Sequence, residues 1–203
     1  MIAIVDYGMG NLHSVGKAFA YLGVSSAITD RADEIERAGH VVLPGVGAFG
    51  DACDRLREKG LIEPLIRRAS DGRPFLGICL GMQLLFAGSE EAPGMPGLGL
   101  FPGVFQKFPP HVGKVPHMGW NSLAYEPGCP LFEGLPAGAE MYFVHSFALY
   151  ERTYAVAETD YGGVFYPAVG RGKLYGVQFH PEKSGRAGLA LLRNFAHWEG
   201  TPC

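Results

Sequence analysis

The sequence has no long apolar run and little net charge, and each absence argues against a class of protein. No uninterrupted apolar stretch is long enough to cross a bilayer, and residues 2–5 begin a strand without the basic start of a signal peptide. The chain has 17 Lys and Arg against 20 Asp and Glu, so its net charge of −3 gives no reason to expect nucleic acid or a membrane as partner. We expect a cytoplasmic protein.

Cysteine is also sparse. The four cysteines show neither metal-ligand spacing nor the density of a disulfide scaffold, and they are Cys53, Cys79, Cys129 and Cys203. No metal and no cofactor is therefore expected, and the natural setting is a reducing one. With 203 residues, of which 47% are apolar, the chain suits one domain over 1–203.

Alternating strand-like and helix-like segments fill the first half of the chain. The strand-like runs are 2–6, 24–28, 40–43 and 74–78. Residues 12–22 have helical spacing, and 50–69 form a charged helical connection that Pro64 could interrupt. This βα alternation predicts a parallel sheet with right-handed crossovers.

From about residue 88 the segments become short, aromatic and rich in Pro and Gly. The strand-like ones are 103–108, 141–149, 154–158, 163–169 and 173–179. A last helix over about 185–198 would pack Leu189, Leu192 and Phe195 against the body. The predicted fold class is α/β: an open, mostly parallel central sheet flanked by helices, with additional antiparallel strands in the C-terminal half.

Residues 77–81, Gly-Ile-Cys-Leu-Gly, have the layout of a nucleophile elbow. The apolar strand 74–78 ends just before Cys79, and a helix starting at Leu80 would direct its positive end at the sulfur. Glycines on both sides suit a turn crowded by neighbouring strands and the helix. A lone cysteine after a strand is usually a core residue, so the assignment needs a second group.

That second group is His-Pro-Glu at 180–182. His180 follows the strand 174–179, so it would reach the sheet edge where Cys79 lies. Glu182 could accept the other imidazole proton, with Pro181 stiffening an extended geometry between them. Together the two motifs favour catalysis, with Cys79 as nucleophile, His180 as acid and base, and Glu182 as the orienting carboxylate.

Acyl transfer through a thioester needs donors for an oxyanion. The amide of Leu80 is one candidate, and an amide at Gly45 or Val46, in the Pro-Gly-Val-Gly turn 44–47, is the other. Gln83 lies one helical turn after Cys79 and could hold polar groups of a substrate.

Gly8 and Gly10 after the first strand suggest dinucleotide binding, but His13 stands where the third glycine belongs.

The three motifs 44–47, 77–83 and 180–182 resemble the class I (triad) glutamine amidotransferases. The resemblance implies a glutaminase in which Cys79 attacks the side-chain amide of glutamine and a glutamyl thioester is hydrolysed. Finer blocks resemble the glutaminase subunits of imidazole glycerol phosphate synthases, and these are 4–12, 43–52, 115–121, 142–146 and 179–185.

That closer resemblance implies a place in histidine biosynthesis and a heterodimer with a (β/α)8-barrel cyclase subunit, to which the ammonia passes. It also implies substrate-binding roles for His145 and Ser146. The residues that it places at the partner interface are Asn11, Trp120, Asn121, Tyr142 and Lys183. Three alternatives stay open: another triad amidotransferase, a non-catalytic scaffold with this fold, and a cysteine peptidase on a related fold.

Overall fold

Residues 1–198 are described by a computed structural model, in which an eight-stranded sheet forms the centre. Cys203 and the rest of 199–203 lie outside the described residues. The strands are β1 (Ile2–Val5), β2 (Ser26–Thr29), β3 (His40–Gly45), β4 (Phe75–Cys79), β5 (Phe86–Ser89), β6 (Phe101–Lys107), β7 (His117–Ser122), β8 (Ala124–Tyr125), β9 (Glu140–His145), β10 (Phe147–Ala148), β11 (Ala155–Asp160), β12 (Val164–Arg171) and β13 (Leu174–Val177). The helices are α1 (Leu12–Tyr21), α2 (Ala32–Arg37), α3 (Phe49–Glu58), α4 (Ile62–Ser70), α5 (Leu80–Leu84) and α6 (Gly185–His197).

The central sheet has the strand order β2-β1-β3-β4-β13-β12-β11-β8. The first five strands in this order are parallel, and β12, β11 and β8 continue the sheet antiparallel. Two small sheets accompany it, β10-β6-β5 and the antiparallel pair β7-β9. The predicted fold class is confirmed, including the antiparallel strands of the C-terminal half.

Both faces of the sheet are covered by apolar side chains, as continuous apolar strands require. Along β1, Ile2 and Ile4 belong to one buried cluster, while Ala3 and Val5 belong to another. Helices α1 and α6 contribute to the first cluster, and α3 to the second. Within the described residues, no helix has both the length and the apolarity to span a membrane.

The connection at 50–69 breaks at a different residue from the one predicted. Helix α3 ends at Glu58, Gly60 follows with φ +65°, and α4 begins at Ile62. Pro64 lies in the first turn of α4, where a missing N–H removes no helical hydrogen bond. Pro64 therefore lies inside α4, and Gly60, in a left-handed backbone conformation, separates α3 from α4.

Helix α6 packs directly on the turn that follows β13. Leu192 and Phe195 are buried as predicted, and Leu189 packs partly buried against the same cluster. Gly188 is also buried, and a β-carbon there would overlap the carbonyl oxygen of Pro181. The approach of α6 to this turn thus depends on a glycine.

Replacing Gly188 with alanine is expected to lower the free energy of unfolding by about 1–3 kcal/mol, because backbone must shift to make room. Urea unfolding of the full chain measures this. The matched control is Gly16→Ala in α1, where a β-carbon would meet only Ile4 Cδ1 at 3.8 Å. That variant should be neutral or more stable, since alanine favours the helix. Equal losses in both variants would contradict the steric account.

Candidate active site

The strand-to-helix turn at Cys79 is a strained elbow, as predicted. Cys79 has φ 56° and ψ −112°, and it is the only non-glycine residue with positive φ within 1–198. A β-carbon at Gly77 would lie 2.7 Å from the Gly81 carbonyl oxygen, and one at Gly81 would overlap the Leu43 carbonyl oxygen. The flanking glycines therefore allow β3, β4 and α5 to meet closely enough to lift the sulfur out of the sheet edge.

Sheet register brings the other groups to the same edge. Gly45 at the end of β3 pairs with Cys79, and Val177 of β13 pairs with Ile78. His180, three residues beyond Val177, reaches the cavity that Cys79 also lines. Parallel neighbours ending together thus gather residues far apart in the chain.

His180 and Glu182 are joined by a hydrogen bond. His180 Nδ1 lies 2.8 Å from Glu182 Oε1, and both side chains are at most 1% exposed. Asn11 Nδ2 donates to the same carboxylate oxygen at 3.1 Å. The backbone differs from the expectation: His180 is extended, but Pro181–Lys183 form a 3₁₀ turn. The turn, which starts with proline, brings Glu182 back under the imidazole.

The environment of His180 favours its charged form. Burial opposes protonation, but the Cys79 and Glu182 side chains outweigh it and raise the pKa of His180 to about 10. Nε2 of His180 and Oε2 of Glu182 are buried and have no aligned hydrogen-bond partner among residues 1–198. Since Nδ1 is held by Glu182, Nε2 is the ring nitrogen left to exchange a proton at the cavity.

A cavity of about 300 Å³ opens beside the cysteine and histidine. Of the predicted oxyanion and substrate-binding residues, those that line it are Val46, Leu80, Gln83, His145 and Ser146. Gly45 does not line it, and lies one residue behind Val46. Five further residues line it that were not predicted as site residues, and these are Gly47, Glu91, Pro116, Val144 and Phe147.

Glu91 could not be singled out from sequence because its position depends on a long-range contact. Its Oε2 accepts a hydrogen bond from the Phe49 backbone N–H at 2.8 Å, which ties the segment after β5 to the start of α3. It is the one carboxylate among the cavity-lining residues of the described chain. It supplies negative charge suited to an ammonium group.

Gly45 is required because its surroundings leave no room for a side chain. Its φ is not positive, and a β-carbon there would lie 2.5 Å from the Tyr7 hydroxyl and 2.9 Å from the Gly81 nitrogen. The Tyr7 hydroxyl itself is buried without a hydrogen-bond partner in the described chain. Burial, then the nearby Cys79 and Cys53, raise the pKa of Tyr7, so the phenol stays neutral.

His145 is held neutral by burial, and it links two neighbouring groups through hydrogen bonds. Its Nδ1 donates to the Phe147 carbonyl at 2.8 Å, so its Nε2 accepts from His117 Nδ1 at 3.0 Å. Burial lowers the pKa of His117 to about 4 and is the main cause that lowers that of His145 to about 3. A neutral His145 keeps the lone pair on Nε2 that this bond from His117 requires.

The residues expected at a partner interface fall into two groups. Trp120 is 54% exposed and stands edge-on to Tyr142, and Lys183 Nζ lies 5.9 Å from the Tyr142 ring centre. Asn11 and Asn121 are instead engaged inside the chain, Asn11 with Glu182 and Asn121 with the Asp160 carbonyl. The first group offers an open surface, and Asn11 joins its own loop to the carboxylate of the triad.

Polar groups of the dinucleotide-like pattern around Gly8 and Gly10 are engaged within the chain. Its Gly8 N–H is satisfied by Asp6, and Asp30 at the end of β2 is paired with Lys59 at 2.8 Å. Within residues 1–198 no group of three or more His, Cys, Asp or Glu side chains is arranged to hold a metal ion.

Comparison with known proteins agrees with this geometry. The sequence model of the family "Glutamine amidotransferase class-I" matches residues 3–198. A glutamine amidotransferase of solved structure superposes with a TM-score of 0.76 at 20% identity, covering 96% of this chain and 97% of that one. A chain in the structure of PurLQS from Thermotoga maritima gives the same TM-score at 21% identity, with 96% of each chain covered. The fold and the site together define a class-I glutamine amidotransferase.

Closer relatives narrow the assignment. The imidazole glycerol phosphate synthase subunit HisH of Thermococcus kodakarensis is 51% identical over 202 residues, covering 96% of this chain and 98% of the relative. That of Desulfitobacterium hafniense DCB-2 is 50% identical over 200 residues, covering 98% and 94%. The chain belongs to the family of the imidazole glycerol phosphate synthase subunit HisH. The resemblance drawn from the sequence blocks is confirmed.

Proposed function

We propose that this chain hydrolyses glutamine through a Cys79 thioester and passes the ammonia to a cyclase subunit. The observation that carries the proposal is the buried set of Cys79, His180 and Glu182 at one edge of the sheet, beside a cavity of about 300 Å³. Relatives about half identical over nearly the whole chain support the synthase and a role in histidine biosynthesis.

The proposed chemistry follows from the charged state of His180 and from its position beside Cys79 at the cavity. The Cys79 thiolate attacks the side-chain carbonyl carbon of glutamine, while protonated His180 gives its Nε2 proton to the leaving nitrogen and ammonia departs. Neutral His180 then takes a proton from water, which hydrolyses the thioester to glutamate and restores the thiolate. Glu182 keeps the imidazole oriented and stabilises its charge through both steps.

The remaining lining residues are suited to binding and polarising glutamine. Backbone amides at Leu80 and at Gly45 or Val46 are the proposed oxyanion donors, because both segments border the sulfur. Gln83, His145 and Ser146 are proposed to contact the polar groups of the substrate. Glu91 is proposed to receive its α-ammonium group.

The proposed partner is a (β/α)8-barrel cyclase subunit that docks on the exposed group of Trp120, Tyr142 and Lys183. Backbone hydrogen bonds connect this surface to the triad, since His180 N–H donates to the Tyr142 carbonyl at 2.9 Å. Ser184 Oγ also links the two, donating to the His180 carbonyl and accepting from the Tyr142 N–H. Docking on β9 would therefore be transmitted to the backbone of His180 through these hydrogen bonds. We place the proposed heterodimer in the cytoplasm.

Glutamate release from glutamine tests the function, with the chain alone and with the cyclase subunit plus a nucleotide ligand. We expect the complex to be faster by about tenfold or more. Trp120→Ala should weaken cyclase binding about 30-fold, as loss of an interface anchor does. Tyr21→Ala removes a comparably exposed aromatic side chain on α1 and should bind normally. Hydrolysis indifferent to the cyclase would assign the chain to another triad amidotransferase.

A further inference from the structure

Gln178 is a buried polar residue to which the proposed mechanism gives no role. It is 1% exposed, follows β13, and lies two residues before His180. Its backbone N–H is used by the Pro167 carbonyl. It does not line the cavity, although its side chain reaches the sulfur of Cys79.

Its side-chain amide makes two contacts, and both lead to the reaction centre. Nε2 donates to Cys79 Sγ at 3.7 Å, and Oε1 accepts from Gln83 Nε2 at 3.0 Å. Gln83 is 4% exposed and lines the cavity beside Cys79. A continuous chain of hydrogen bonds therefore runs from the nucleophile through Gln178 to a cavity wall.

The direction of this chain is fixed by chemistry. A thiolate only accepts hydrogen bonds, so the Gln178 group facing the sulfur must be its NH₂. The Gln178 oxygen is then left for Gln83, which must in turn present its own NH₂. Gln83 thereby keeps its carbonyl oxygen and one N–H for the cavity. A charge-assisted bond to sulfur is also stronger for the thiolate than for the neutral thiol.

We propose that Gln178 is a positioning residue for the nucleophile, holding the Cys79 thiolate by donation and setting the orientation of the Gln83 amide. The proposal rests on the glutaminase chemistry proposed above. It adds a donor that favours the thiolate, and that donor is not one of the residues that line the cavity.

Alkylation of the full chain with iodoacetamide across pH tests the donor role, with Cys79 modification followed by peptide mass spectrometry. Mapping separates it from Cys53, which is 3% exposed and whose pKa burial raises to about 11. Gln178→Met, similar in shape but without a donor, should move the midpoint of the alkylation profile up by about one pH unit. It should also lower kcat/KM for glutamine by about 10- to 100-fold.

Two further variants separate donation to sulfur from support of Gln83. Gln83→Met leaves the Gln178 donor in place, so it should raise KM while the alkylation midpoint stays. Gln178→Glu keeps the acceptor for Gln83 but puts a carboxyl group against sulfur, so alkylation at neutral pH should be slower than in the wild type. This variant decides the question if Gln178→Met fails to fold.

An unchanged alkylation midpoint in a folded Gln178→Met, or wild-type alkylation by Gln178→Glu, would overturn the proposal. Alkylation needs neither glutamine turnover nor the cyclase, so its outcome does not depend on whether the proposed function holds. If the wild-type chain released no glutamate while Gln178→Met still shifted the alkylation midpoint, the proposed function would be excluded and the role of Gln178 would stand.

Discussion

Replacing Cys79 with serine is expected to lower kcat/KM for glutamine hydrolysis by roughly 10⁴-fold, since removal of a nucleophile leaves only binding and oxyanion stabilisation. The loss corresponds to about 5.5 kcal/mol of transition-state stabilisation. A serine hydroxyl stays protonated where His180 is charged, so it lacks the ion-paired nucleophile that the cysteine can offer. Glutamate release by the complex with the cyclase measures the effect.

The same substitution should leave the architecture intact. Cys79 is 6% exposed, and serine is similar in size, so the elbow should still form. Cyclase binding and the urea midpoint serve as controls, and both should stay near wild type. Cys53→Ser is the matched variant at the other free thiol, and it should keep glutaminase activity because Cys53 lies outside the cavity. Full activity in Cys79→Ser would exclude the thioester route.

Replacing Glu182 with glutamine is expected to lower kcat by about 10²- to 10⁴-fold, as loss of the orienting carboxylate does in related triads. An amide at this position can donate as well as accept, so it permits the wrong tautomer of His180. It also removes one of the causes that raise the pKa of His180. The arm of the pH–rate profile governed by His180 should therefore move to lower pH.

Glu182→Gln should also change how the free energy of unfolding depends on pH. In the wild type, the His180 pKa rises from 6.5 to about 10 on folding, so its contribution is complete below pH 6.5 and is lost as pH approaches 10. Without the carboxylate, the contribution should be smaller and its loss above pH 6.5 should be complete at lower pH than in the wild type. Urea unfolding at several pH values measures it, with Glu90→Gln as an acidic-residue control outside the triad. Identical pH dependence of Glu182→Gln and wild type would contradict the coupling.

The amino-acid sequence by itself determined the local backbone geometry of the proposed site. Glycines around Cys79 and proline after His180 restrict the backbone locally, and such restrictions can be read without knowing what packs nearby. The periodicity of the first four strands and α1 was sufficient for a parallel sheet, and the order of the motifs placed nucleophile and base at one edge. The sequence blocks were specific enough to identify the family.

Only the tertiary structure decided which polar groups meet. Glu91, Gln178 and His117 each act through partners far away in sequence, and no local spacing marks them among other polar residues. From sequence, Gly188 is only a glycine that weakens a helix. The structure shows that it is needed because Pro181 packs against it. Backbone preferences are local properties of the chain, whereas close approach and hydrogen-bond pairing depend on long-range packing. For that reason the residues of the proposed triad could be picked out from sequence, whereas the hydrogen-bond network around them required the fold.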